Sequence, residues 1–153
     1  MEPIDEGEAR QFLTESMVAH IGVVIDGEPY VTPMSFVVDD NRVLFRTKPG
    51  RRFEALDDAP VVCIEVSQFD EDTGDWISVI VTGRAAERTD DETTSRAVQL
   101  LLEKYQSAVG SPLGHGGMQP MATFPHVVEV PIESISGMCS GRGFAYRTRP
   151  GRL

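Results

Sequence analysis

The sequence predicts a mainly β fold of the α+β kind, with six antiparallel strands in a meander closed into a small barrel and a few peripheral helices. Three observations predict it. Six short runs rich in β-branched and aromatic residues are bounded by Gly, Pro, Asp and Asn. An Asp26-Gly27 pair between the first two runs supplies the positive φ angles of a tight hairpin turn. Helical spacing is confined to three stretches, at the start, after the third run and after the fifth. A sandwich is the alternative packing of the same strands.

Taken in order, Asp5 to Met17 places Ala9, Phe12, Leu13 and Met17 at helical spacing, with Asp5 and Glu8 as a capping pair. Ile21–Ile25 and Tyr30–Val38 follow as two strands, and Pro33 marks an edge or a bulge in the second. Asp39 to Arg42 turns the chain into a third strand, Val43–Thr47. After Lys48-Pro49-Gly50, Phe53 and Leu56 give a brief helix from Arg51 to Asp58, ended by Pro60. Val61–Val66 and Ile77–Thr82 are strands four and five, joined through the acidic loop Asp70 to Asp75. The fifth is apolar enough on both faces to be central, and Gly83 after it predicts a bulge or a close approach. Thr89 with Glu92 forms a capping-box pattern before a helix from Asp90 to Tyr105, whose stripe is Ala97, Val98, Leu101, Leu102 and Tyr105. Gly110 to Pro125 is a long aperiodic loop. Val127–Ile132 is the sixth strand, and Ser134–Gly137 ends the ordered part. Residues 1–140 thus form one domain, and 141–153 form a flexible Arg/Gly-rich tail.

The chain has 153 residues, the common size of one domain, and 14 basic residues stand against 24 acidic ones, for a formal charge of −10. That balance argues against nucleic acid and anionic membranes as partners. No run approaches a membrane span and the acidic N-terminus lacks a signal-peptide core, so a cytoplasmic location is expected. Cys63, inside an apolar run, reads as a small buried thiol, with Cys139 too distant in sequence to suggest a pair.

Against this negative background one basic cluster stands out. Arg46 projects from a strand face otherwise apolar, and Lys48, Arg51 and Arg52 follow around the Pro49-Gly50 turn, where a helix begins. A turn, a helix N-terminus and four converging cations make a phosphate site. The alternative reading is a solvated positive turn that pairs with the acidic surface.

Three stretches then carry a resemblance: Gly22 to Val38, Val43-Leu-Phe-Arg-Thr-Lys-Pro-Gly50, and Trp76-Ile-Ser-Val-Ile-Val-Thr-Gly-Arg-Ala85. They resemble the pyridoxamine 5′-phosphate oxidase-like superfamily, in its small flavin-binding, nitroimidazole-resistance-like branch. The likeness covers Ala9 to Glu87 well and Val127 to Gly137 more weakly. It implies a split barrel, a homodimer, and FMN in a cleft between subunits. Phe45, Arg46, Thr47, Lys48, Arg51 and Arg52 would form the phosphate strand and turn. Pro33, Met34, Ser35 and Phe36 would lie beside the isoalloxazine, largely through backbone, and Trp76 and Ser78 match the stretch brought by the partner subunit. Relatives commonly carry lysine where Arg52 stands, which keeps the charge but changes the reach.

His20, His115 and His126 show no metal-ligand spacing with the cysteines, so no metal is expected. No nucleophile elbow is present, and Glu65 reads as a rim residue or an ion-pair partner, so hydrolysis is a poor fit. His115, between glycines, is the accessible histidine. The expected function is an FMN-binding oxidoreductase or reductase acting on a small organic molecule. The rivals are a deazaflavin (F420)-dependent reductase and a non-enzymatic flavin- or haem-binding protein.

Overall fold

The structure, a computed structural model, describes residues 1–56, 60–109 and 124–141. His115, the 110–123 part of the long loop and all of the predicted tail beyond residue 141 lie outside them. Ten strands and three helices follow in the order β1 (Glu2–Ile4), α1 (Glu6–Glu15), β2 (Ala19–Ile25), β3 (Glu28–Met34), β4 (Phe36–Asp39), β5 (Arg42–Thr47), α2 (Arg51–Glu54), β6 (Val61–Phe69), β7 (Trp76–Arg84), β8 (Ala86–Arg88), α3 (Asp91–Val109), β9 (His126–Pro131) and β10 (Ser134–Cys139).

The expected mainly β, antiparallel class holds, but the strands divide into two sheets. One has the order β1-β10-β7-β6-β2-β3 and the other β4-β5-β9-β8. The single strand expected from Tyr30 to Val38 is therefore two strands. The chain leaves the first sheet after Met34 and enters the second at Phe36, with exposed Ser35 between them. Three strands beyond the six expected come from the short stretches Glu2–Ile4 and Ala86–Arg88 and from Ser134–Cys139, where the sequence predicts only the end of the ordered part. Three-residue strands carry too little pattern to be read before their partners are known.

Local chemistry explains most elements. Asp5 caps α1 by accepting from Glu8 N at 2.9 Å, while Ser16 turns extended and closes the helix on the Phe12 carbonyl, two residues earlier than Met17. Asp26 and Gly27 take φ of 53° and 80°, giving the β2–β3 hairpin its turn. α3 is capped by Asp90, whose Oδ2 accepts from Thr93 N at 2.9 Å, and not by the Thr89–Glu92 box. The cap sits one residue later, and Asp90 also takes the Arg88 guanidinium; the Thr93 hydrogen bonds first and Arg88 second hold its carboxyl below the usual range.

The main core lies between the sheets, with Phe12 and Leu13 of α1, Ile21, Phe36, Phe45, Ile64, Val66, Ile77 and Val79 among its fully buried members. A second cluster joins Val37, Leu44 and Val127 of the small sheet to Ala97 and Leu101 of α3. β7 is central, as expected, but only one of its faces is core; the other is turned outward with Ile80 43% exposed. Where β7 crosses β9, a Cβ at Gly83 would collide with the Pro131 carbonyl oxygen, so the close approach read from the sequence is real. Cys63 is exposed, which corrects the buried-thiol reading: strand alternation puts Val62, Ile64 and Val66 inside and Cys63 outside, and both cysteines are free thiols.

A candidate anion site at the seam of the two sheets

The seam where β3 ends beside β5 holds the basic turn. Thr47, buried at the end of β5, offers its hydroxyl to Arg52, whose Nε and Nη2 donate to it at 3.3 and 3.0 Å. Arg52 Nη1 donates across to Thr32 Oγ1 at 3.1 Å and to the Pro33 carbonyl at 3.2 Å. Beneath the guanidinium lies the buried Phe45 ring, its centroid 5.9 Å from the guanidinium carbon. Four neutral acceptor contacts and an aromatic floor fix the fork without cancelling its charge. Burial lowers the Arg52 pKa, against a small opposing effect of Tyr30. Arg51 extends over the Tyr30 ring, 5.4 Å from its centroid, and Lys48 is exposed on the turn.

Among the described residues no carboxylate lies within ion-pair distance of Lys48, Arg51 or Arg52. Elsewhere the pattern is the reverse: Arg10 is paired with Glu6, Arg42 with Asp39 and Glu129, Arg88 with Asp90, and Arg96 with Asp39. α2 is a single turn of four residues led by Gly50 at φ 144°, so the cationic side chains, and not a helix terminus, dominate the site's field.

Arg46 does not join this group. It stands opposite Val127, a member of the α3-side cluster, so it points to the face of β5 away from Thr47 and Arg52. There it is 8% exposed, and its Nε and Nη2 both donate to the Phe124 carbonyl, at 3.1 and 2.9 Å. The expected convergence of four cations is thus a convergence of three. The reason is strand alternation, since Arg46 and Thr47 are adjacent and must face opposite ways.

The stretch expected beside a cofactor ring has mixed access. Pro33 and Ser35 are exposed, whereas Met34 and Phe36 are buried, and the Phe36 N–H is already bonded to Tyr105 Oη at 3.0 Å. Trp76 and Ser78 lie on the outer face of the large sheet, well along β7 from the turn. Ser78 Oγ donates to Glu65 Oε1 at 3.1 Å, and Glu65 Oε2 is 3.3 Å from His20 Nδ1. Glu65 is therefore an outer-face partner of a histidine, in line with its expected pairing role. Directly opposed residues share a face, so this face also carries Val24, Val31, Phe69 and Ile80, exposed by 64, 61, 63 and 43%. His126 is stacked on Phe53 at 3.8 Å and bonded to Glu87 at 2.7 Å, a bracket that seats α2 on the small sheet.

Sequence reading missed Tyr30, Thr32, Lys104 and Tyr105. The first two had a signal, since Tyr30, Thr32 and Met34 alternate inward on a strand already recognised; the last two are brought in by α3 from 68 or more residues away. Among the described residues no group of three or more His, Cys, Asp or Glu side chains could hold a metal, and no helix is long and apolar enough to cross a membrane.

The sequence profile of the pyridoxamine 5′-phosphate oxidase family matches residues 5–138. An FAD-binding protein from Mesorhizobium loti has a similar structure, with a TM-score of 0.72 and 23% identity over 92% of this chain and 98% of that one. A structure described as a 5-nitroimidazole antibiotic resistance protein, from Bacteroides thetaiotaomicron, is alike at a TM-score of 0.72 and 19% identity, over 90% of this chain and 86% of the other. An uncharacterised protein of Rhizobium meliloti (strain 1021) is 29% identical over 70 residues, which is 46% of this chain and 46% of that protein. The chain thus matches about half the length of that curated relative.

Proposed function

The chain belongs to the pyridoxamine 5′-phosphate oxidase family, and we propose that it binds a flavin, with FMN as the cofactor, and uses it as an oxidoreductase or reductase on a small organic molecule. One observation carries this reading: three cations that have no carboxylate partner among the described residues, Lys48, Arg51 and Arg52, are gathered at a sheet seam in a chain of formal charge −10. A phosphate monoester fits them. Arg52 presents a fork already oriented by Thr47, Thr32 and Pro33, and Arg51 and Lys48 supply further charge from the exposed side. Pro33 and Ser35, exposed beside this fork, offer the ring an edge of backbone. Bound there, the flavin would supply the electron or hydride transfer; this chain's residues would bind and orient it and shield one side from water.

A second copy of the chain completes the proposal. The outer face of the large sheet, with Val24, Val31, Phe69, Ile80 and the half-buried Trp76, is more apolar than a solvent face needs to be, and a partner on it would bring Trp76 and Ser78 to the cleft. Sedimentation should show a dimer at micromolar concentration, and a stable monomer in the presence of FMN would remove this part.

FAD is the second reading, favoured by the name of the Mesorhizobium loti protein. Its diphosphate would meet the same cations. Mass spectrometry of ligand released from natively purified protein separates the two, and visible absorbance separates both from F420 and haem. Protein that is purified colourless and binds neither FMN nor FAD in fluorescence titration would refute the flavin reading.

A further inference from the structure

The chain passes between its two sheets at Ser35, and β4 is the edge strand of the small sheet. A peptide N–H on the outer side of an edge strand has no strand neighbour to accept it, so it needs another partner. Tyr105, in the last turns of α3, provides one. Its Oη accepts from Phe36 N at 3.0 Å and donates to the Met17 carbonyl at 2.6 Å. Beside it, Lys104 Nζ donates to the Ser16 carbonyl at 2.7 Å and lies 4.1 Å from the centroid of the Phe36 ring. Both groups are largely enclosed: burial raises the Tyr105 pKa, against hydrogen bonds to Phe36 and Ser35, and burial lowers that of Lys104 to about 8.

The crossover is therefore held from two sides. Arg52 grips the Pro33 carbonyl at 3.2 Å from the seam, and Tyr105 grips the Phe36 amide from the α3 side. A trans peptide is planar, and no cis bond occurs among the described residues, so fixing the Phe36 N–H also fixes the Ser35 carbonyl, pointed away from Tyr105. The peptide groups at both ends of the crossover, Pro33–Met34 and Ser35–Phe36, are thus held in place.

We propose that Tyr105 is a positioning residue for the flavin ring: it sets the geometry of the Pro33–Phe36 crossover against the ring without touching the cofactor. The inference rests on the flavin reading and assigns α3, which the resemblance left without a role, to the ring end of the site. The division of labour is specific. Arg52 serves the phosphate first and the crossover second, through the Pro33 carbonyl, so its loss should cost FMN more than riboflavin, whereas Tyr105 serves only the ring, which the two flavins share.

Tyr105→Phe removes only the hydroxyl and keeps the packed ring. Fluorescence titration of the full chain should show the dissociation constants for FMN and riboflavin raised by the same factor, about tenfold, as expected for one lost hydrogen bond between positioned groups. Amide exchange of ligand-free protein should be faster at Phe36. Lys104→Met, which loosens the same bracket at its α1 end, should give an equal but smaller loss for both flavins, and it stands in if the first variant does not fold. Unchanged affinities with only a lowered melting temperature would overturn the inference, because the hydroxyl would then support the fold alone. A loss confined to FMN would overturn it too, by placing Tyr105 at the phosphate. Wild-type chain that binds neither flavin would overturn the flavin reading itself, which a flavin-binding wild type with an indifferent variant would not.

Discussion

Arg52→Ala should weaken FMN binding selectively, and the structure sets the size of the effect. A charge-assisted contact to a phosphate is worth about 1.5–3 kcal/mol, or roughly ten- to hundredfold in affinity. The lower half of that range applies here, because the Arg52 N–H groups already serve Thr47, Thr32 and the Pro33 carbonyl, and because Arg51 and Lys48 remain to attract the anion. Riboflavin, which lacks the phosphate, should lose at most threefold, about 0.6 kcal/mol by the same conversion. Arg52→Lys should restore part of the FMN affinity, since an ammonium keeps the charge but not the fork. Arg46→Ala should behave differently. The residue is 8% exposed on the α3 face and its guanidinium holds the Phe124 carbonyl with two donors, so removal takes a charge-assisted pair of donors from a part-buried acceptor, at a cost of about 1–3 kcal/mol of stability. FMN and riboflavin should then be affected alike. The assay is paired fluorescence titration, with thermal melts of both variants. A selective FMN loss in Arg46→Ala with an indifferent Arg52→Ala would refute the reasoning and put the phosphate on the other face of β5.

Two further perturbations test the frame around the site. Gly83→Ala should destabilise the chain by about 3 kcal/mol, since its Cβ would run into the backbone carbonyl of Pro131, which no side-chain rotation can clear; a melt lowered by roughly 6–12 °C is expected, and an unchanged melt would mean that β7 and β9 do not cross as described. Lys104, with a folded pKa lowered to about 8 by burial, makes the unfolded chain bind more protons between about pH 8 and 10.5. Stability should therefore rise with pH across that window by up to about 3 kcal/mol relative to Lys104→Met, whose difference curve cancels the other titrating groups. A flat difference in denaturant melts would show that the ammonium is solvated.

Most of the longer strands, both hairpins of the first half and the close approach at Gly83 were legible because each rests on local chemistry: alternation, the Asp26-Gly27 turn, or a residue without a side chain. What the sequence hid were consequences of pairing. Ser35 carries no mark that the chain changes sheets there, since Tyr30 to Val38 is as continuous in composition as a single strand. The basic turn was legible as a cluster, but its division was written in the same alternation that predicted the strand. Arg46 follows Leu44 to the α3 face, while Thr47 follows Phe45 to the seam. Tyr105 was read as a core-facing member of a helical stripe, which it is in part; its hydroxyl acquired a role only when α3 met the crossover.

The competing account of the turn, a solvated positive patch pairing with the acidic surface, makes a different demand on the structure. In a chain with 24 acidic and 14 basic residues, carboxylates outnumber cations, and a carboxylate within reach of each exposed guanidinium is easily placed. Arg10, Arg42, Arg88 and Arg96 obey that expectation. Among the described residues at the seam, it is Thr47, Thr32, the Pro33 carbonyl and the rings of Phe45 and Tyr30, and not carboxylates, that surround the cations. Neutral acceptors orient a guanidinium without discharging it, and aromatic faces favour a cation without competing with an incoming anion. Such surroundings contribute little as stabilising ion pairs. They preserve a local positive field against a negative background, and a field kept in that way has an anion as its natural complement.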